Sequence, residues 1–240
     1  MNASNRPGGR RFRPLVVIAL SAAVGVSACK VEVELPAPDP AAQADRATVT
    51  MENAPPDTGR QAPADAFLAA LAMHCGQAFE GRIAANRPAS SEPDAFAGKR
   101  MVMHVRGCED PARELRVPFH VGDDHSRTWV LTRTADGLRL KHDHRHEDGS
   151  EDAVTMYGGE TTAPGTAVRQ EFPVDAESVA MFEREDLSAS VDNTWAMEIE
   201  PGQRFLYELT RPGGREFKVE FDLTRPVELP PAPWGSAPQE

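Results

Sequence analysis

The chain has 240 residues, of which 40% are hydrophobic and 26% charged. That composition describes a folded, water-facing domain, and no run of 18 apolar residues exists to form a membrane-spanning helix. Formal charge is −11, and removing residues 1–28, which hold four arginines and no acid, takes it to −15. Such a surface repels phosphate backbones and argues against a nucleic-acid partner.

In chain order, the first element is a three-part leader. Arg6, Arg10, Arg11 and Arg13 give a basic start, Leu15 to Val26 an apolar run, and Ser27-Ala28 a small-residue exit before Cys29. The apolar run is only about twelve residues, against roughly twenty needed to span hydrocarbon. This is the pattern of a cleaved export signal.

Val26-Ser27-Ala28-Cys29 resembles the bacterial lipobox, in which the cysteine is lipidated before cleavage. The resemblance implies a lipoprotein signal over 1–28, lipidation at Cys29 and a membrane partner through the acyl anchor. Several acyl chains on one residue anchor stably where one gives marginal binding. Lys30, where aspartate would favour inner-membrane retention, implies an outer-membrane address facing periplasm or cell surface. From 29 to 63 the chain is rich in Pro, Ala, Asp and Glu without sustained periodicity, and reads as a disordered tether.

With Cys29 given to lipid, Cys75 and Cys108 remain as an even pair in a disulfide-permitting compartment and are expected to be bonded. Phe67, Leu68, Leu71, Cys75 and Phe79 form a stripe at helical spacing, with Asp65 as its N-cap candidate. The bridge would pin that helix to the following sheet.

Past residue 98 the period becomes two and the punctuation becomes Asp-Gly, Gly-Gly and Pro-Gly. Met101, Met103 and Val105 alternate with Val102, His104 and Arg106; Leu115, Val117, Phe119 and Val121 alternate with Glu114, Arg116, Pro118 and His120; and Trp195, Met197 and Ile199 alternate with Ala196, Glu198 and Glu200. Roughly nine such segments precede Pro226, with one short helix expected within 174–185. A three-residue Pro212-Gly213-Gly214 loop sets Leu209 opposite Phe217, Tyr207 opposite Val219 and Phe205 opposite Phe221. A two-residue Asp136-Gly137 turn sets Arg133 opposite Leu140, Leu131 opposite His142 and Trp129 opposite His144. The fold class expected is mainly β: an antiparallel meander closing into a barrel over 64–228, with one N-terminal helix and a Pro-rich tail over 229–240. A β-sandwich is the alternative. Size and meander resemble the lipocalin-like barrels, in architecture only.

Lys141 to Asp148 carries the feature with most chemical potential, because His142, His144 and His146 leave the chain at alternate positions. Three imidazoles near acids suggest a divalent transition metal. Neighbours two apart lie about 6.6 Å apart along a strand, so His142 with His144, or His144 with His146, needs a further ligand from His120, His125, Glu147 or Asp148. The competing reading is that the histidines line the barrel and are satisfied by hydrogen bonds. No nucleophile elbow, phosphate-binding glycine loop or paired-cysteine zinc signature occurs. The leading expectation is therefore a non-enzymatic, tethered barrel that binds a small apolar or amphipathic ligand through Trp129, Leu131, His142, His144 and Arg127. A metal-binding protein or enzyme, and an envelope scaffold that works by protein contacts, are the alternatives.

Overall fold

A computed structural model describes residues 61–88 and 96–236. The leader, Cys29 and the tether read from the sequence lie outside the described residues. The fold is a ten-stranded antiparallel sheet in the order β6-β5-β4-β3-β2-β1-β10-β9-β8-β7. Its strands are β1 (Ala78–Arg87), β2 (Met101–His104), β3 (Glu114–Val121), β4 (Asp124–Arg133) and β5 (Leu138–His144). β6 (Tyr157–Glu160), β7 (Arg169–Pro173), β8 (Thr194–Glu200), β9 (Arg204–Arg211) and β10 (Arg215–Val227) complete it. First and last strands pair along the middle of the sheet, so the two outer edges, β6 and β7, meet each other. A Gly159–Val174 bridge and the bond from Asp175 N–H to Gly158 O (3.0 Å) nearly close the barrel there.

That closure depends on glycine. A Cβ on Gly159 would lie 1.7 Å from the Pro173 carbonyl oxygen, and one on Gly158 would lie 1.9 Å from that of Leu140. The Tyr157-Gly158-Gly159 run thus marks a place where two backbones approach. Behind it, α2 (Ala176–Arg184) starts at Asp175, whose side chain accepts from Ser178 N–H (2.8 Å), and Ser178 Oγ accepts from Gly158 N–H (2.8 Å).

Alternation along each strand sends one set of side chains inward. Leu115, Val117 and Phe119 from β3 meet Trp129 and Leu131 from β4, Leu138 and Leu140 from β5, and Phe205, Val219 and Phe221 from β9 and β10, all buried. The Pro212-Gly213-Gly214 loop has the register its pattern predicts: Leu209 faces Phe217, Tyr207 faces Val219 and Phe205 faces Phe221. Gly213 and Gly214 both take positive φ, which only glycine adopts at low cost.

The other hairpin corrects the sequence reading. Arg133 faces Leu138, Leu131 faces Leu140, Trp129 faces His142 and Arg127 faces His144, a shift of two residues from the expected pairing. The loop is Thr134 to Gly137, closed by Thr134 N–H to Gly137 O (2.9 Å) and Gly137 N–H to Thr134 Oγ1 (3.1 Å). Arg133 adds a guanidinium bond to Gly137 O (3.0 Å). Because the shift is two, every side chain keeps its expected face.

The helix α1 (Pro63–Ala72) is also shorter than its stripe suggested. Pro63 holds the first turn and Ala62 the N-cap position, while Asp65 forms an ion pair with Arg133 instead of capping. Phe67, Leu68 and Leu71 are buried, but Cys75 lies beyond the helix and Phe79 belongs to β1. The Asp65–Arg133 pair, a bond from Gly202 N–H to His74 Nε2 (3.2 Å) and the Cys75–Cys108 disulfide fix α1 across one end of the barrel. A loop closed over 33 residues contributes about 3–4 kcal/mol under the chain-entropy model.

Outside, one half of the wall is a lattice of charges: Arg169 reaches Glu171, Glu198 and Glu208, and Lys218 reaches Glu208 and Glu216. On the other half Val102, His104, His120 and Val130 are buried although they point away from the lumen. The last described residues explain part of this. After Val227, residues 228–236 run along the outer face of β2, β3 and β4, and Trp234 N–H bonds His125 O (3.1 Å). Part of the expected tail is therefore a strap against the wall.

Candidate functional site

Strand β5 places His142 inward and His144 two residues nearer the rim opposite α1. His142 is 4% exposed and both ring nitrogens are occupied. Its Nδ1 lies 3.1 Å from the Tyr157 carbonyl oxygen and its Nε2 2.9 Å from the Tyr207 hydroxyl. A carbonyl only accepts, so Nδ1 carries the proton, and Nε2 accepts from Tyr207 O–H. His144 Nε2 lies 3.2 Å from the Tyr157 hydroxyl. Tyr157 thus engages one histidine with its carbonyl and the other with its phenol, and its ring stacks on His142 at 4.7 Å.

The electrostatics keep this network neutral. Burial, aided by His144 nearby, pushes the His142 pKa down to about 3. Burial and the Arg127 charge hold His144 at about 4. Burial raises the Tyr157 phenol to about 12, and that of Tyr207 well above its ordinary value. Burial thus favours the neutral form of all four groups.

The expected metal set is not assembled. His142 spends both nitrogens on the network, and His146 lies past the end of β5 in an exposed turn, where its N–H bonds Ser150 O (2.9 Å). Arg127, which the tight-turn register would have set opposite His146, faces His144 instead. His120 and His125 approach each other, Nδ1 to Nδ1 at 2.7 Å, on the outside of the wall. Among the described residues no group of three or more His, Cys, Asp or Glu side chains could hold a metal ion.

The residues expected to line a ligand pocket pack on one another. Trp129 is 2% exposed and stacks on Phe119 (5.0 Å between ring centroids) and on Tyr207 (4.5 Å). Phe205 and Phe221 flank it at 6.2 Å each. Leu131 is fully buried, while His144 and Arg127 are half-buried at the rim, with Arg127 bonded to Asp124 (2.7 Å) and set over the Phe96 ring. Sequence reasoning missed Tyr157 and Tyr207, the partners that satisfy the histidines. Tyr207 carried the one usable signal, a hydroxyl on a face otherwise apolar. No known family model, no curated protein and no solved structure matches this chain.

Proposed function

We propose that this is an exported, lipid-anchored envelope protein whose barrel is a rigid module acting through its outer surface, as a scaffold or interaction domain. The observation that carries the reading is Trp129 at the centre of the lumen, enclosed by Phe119, Tyr207, Phe205 and Phe221. A carrier needs a cavity of roughly 300 Å³ or more. Aromatic rings take that place here, and the polar groups that would orient a ligand are paired with each other. The disulfide and the Val26 to Cys29 signal support export and anchoring.

The experiment is a titration with an apolar fluorescent probe, 1-anilinonaphthalene-8-sulfonate, followed by a long-chain fatty acid competitor. The native chain is expected to leave the probe dark, whereas Trp129→Ala, which empties the lumen centre, is expected to bind it saturably. Saturable, fatty-acid-displaceable binding by the native chain at micromolar concentration would return the function to ligand carriage. Anchoring is tested separately: Cys29→Ser should release the protein from membranes, and a variant that still fractionates with them overturns the lipid anchor.

A further inference from the structure

The strap over the outer wall is an imperfect occupant of the groove it lies in. A cavity of about 310 Å³ remains between strap and strands, bordered by Arg100, Val102, His120 and His125 on the wall and Leu229 and Pro230 on the strap. Leu229 is 50% exposed, although it is the strap's largest aliphatic side chain. His120 is 2% exposed, yet among the described residues its Nε2 has no hydrogen-bond partner. A buried imidazole nitrogen without a partner beside an unfilled cavity is a costly arrangement that a better-fitting segment would relieve. The far end is firmer: Trp234 N–H bonds His125 O, the two rings meet edge to face at 6.3 Å, and Pro233 is buried.

The end of β10 and the first part of the strap have a counterpart elsewhere in the chain. Residues 227–233 read Val-Glu-Leu-Pro-Pro-Ala-Pro, and residues 33–38 read Val-Glu-Leu-Pro-Ala-Pro, the same order with one proline fewer. Proline-rich segments of this kind are extended before they bind and lose little entropy on docking, which is why grooves with aromatic edges recognise them. Of the repeated residues, Pro233 is buried against the wall and Glu228 to Pro231 border the cavity, so the groove offers the 33–38 segment the same proline-lined edge that it offers the strap.

We propose that the outer groove of β2–β4 is a docking site for a Val-Glu-Leu-Pro-Ala-Pro segment supplied by a second copy of this chain, residues 33–38, in competition with the chain's own strap. The strap then acts as a resident competitor: it covers Val102 and His120 in the isolated molecule and yields when neighbouring copies are concentrated. Effective concentration decides the outcome, because a linked competitor is displaced only when the free segment exceeds the strap's local concentration. The inference stands on the groove and the repeated segment, and is independent of whether the lumen binds a ligand.

The test uses the full chain carrying Cys29→Ser, so that no acyl group is present, and a synthetic peptide of residues 31–40 as probe. The imidazole signals of His120 and His125 and the indole signal of Trp234 are followed by NMR. The peptide is expected to shift all three saturably, a peptide of the same composition in scrambled order to leave them in place, and Trp234→Ala, which weakens the strap, to bind the peptide several-fold more tightly. Unmoved signals at millimolar peptide in both proteins, an equal response to the scrambled peptide, or shifts confined to residues outside the groove would each overturn the proposal. The Cys75–Cys108 bond and an unchanged Tyr157 signal serve as the folding control for the variant.

Discussion

Tyr207 and His142 show how a polar pair is retained in an apolar lumen. The phenol donates to Nε2 at 2.9 Å, the imidazole donates to the Tyr157 carbonyl, and the Trp129 ring stacks on the Tyr207 ring. Each group is satisfied only while the others are present, so removing one orphans its partner at about 1–3 kcal/mol. Tyr207→Phe is therefore expected to lower unfolding free energy by about that amount at pH 7.5. Combined with His142→Leu, the loss should fall short of the sum of the single changes by about 1 kcal/mol, because the second change removes the orphan left by the first. Strict additivity in chemical denaturation would show that the hydrogen bond carries no coupling. The sequence placed His142 on the lumen face correctly, since strand periodicity fixes the side of the sheet. Its partners were hidden because they stand 15 and 65 residues away, and period two says nothing about which strand lies opposite. The same limit applies to Arg133: nearness to a turn was legible, but its bond to Gly137 O and its ion pair with Asp65 depend on a loop length and a helix position that local pattern does not encode.

At the scale of elements, the two hairpins separate what pattern decides from what geometry decides. Pro212-Gly213-Gly214 left one register with apolar residues facing each other, and the strands adopt it. Asp136-Gly137 suggested a tight turn of its own, but a four-residue loop tied by the Thr134 hydroxyl and the Arg133 guanidinium is formed instead, moving the register by two and sparing the faces. The seam between β6 and β7 was illegible for a related reason. A Gly-Gly pair at a strand end is ordinary punctuation until another backbone comes within contact distance, and that neighbour, Pro173, lies 14 residues on. Gly159→Ala tests the seam. Its methyl would collide with a backbone carbonyl that no rotamer change can move, so β6 and β7 must part. A cost of about 2–4 kcal/mol is expected, in the range of overpacked or strained sites. Hydrogen exchange at the Asp175 amide should accelerate far more than exchange at amides of the β9–β10 hairpin. Uniform acceleration across the barrel would mean that the seam has no local weakness, and unchanged exchange would mean that β6 and β7 are not held together by this contact.

For the whole molecule, four neutral histidines dominate the response to acid. Burial lowers His142 and His120 to about 3 and His144 and His104 to about 4, with the Arg106 charge adding to the effect at His104 and neighbouring His125 adding to it at His120. In the unfolded chain each regains a pKa near 6.5 and binds a proton that the folded form refuses. The unfolded state therefore holds more protons, and stability is full above pH 6.5 and falls as pH drops through 6.5 toward the folded values. Each histidine removes about 1.4 kcal/mol per pH unit over that interval, and the four losses compound. Carboxylates held below their ordinary range, such as Asp124 and Asp175, act in the same direction but titrate in a lower window, so they leave the interval from pH 7.5 to 5.5 to the histidines. The wall pair and the lumen pair should also part company. His104 and His120 lie on the outer wall, and His120 borders the strap, so release of residues 228–236 would give it water without unfolding the barrel, whereas His142 and His144 gain water only when the lumen opens. Lowering pH from 7.5 to 5.5 is thus expected to free Trp234 from the His125 ring before near-ultraviolet dichroism of Trp129 and Trp195 changes. Denaturation midpoints should fall over the same interval, and less so in a His120→Phe variant. Equal midpoints at the two pH values would rule out buried neutral histidines as the source of acid sensitivity, and simultaneous loss of both signals would place strap and lumen in one cooperative unit.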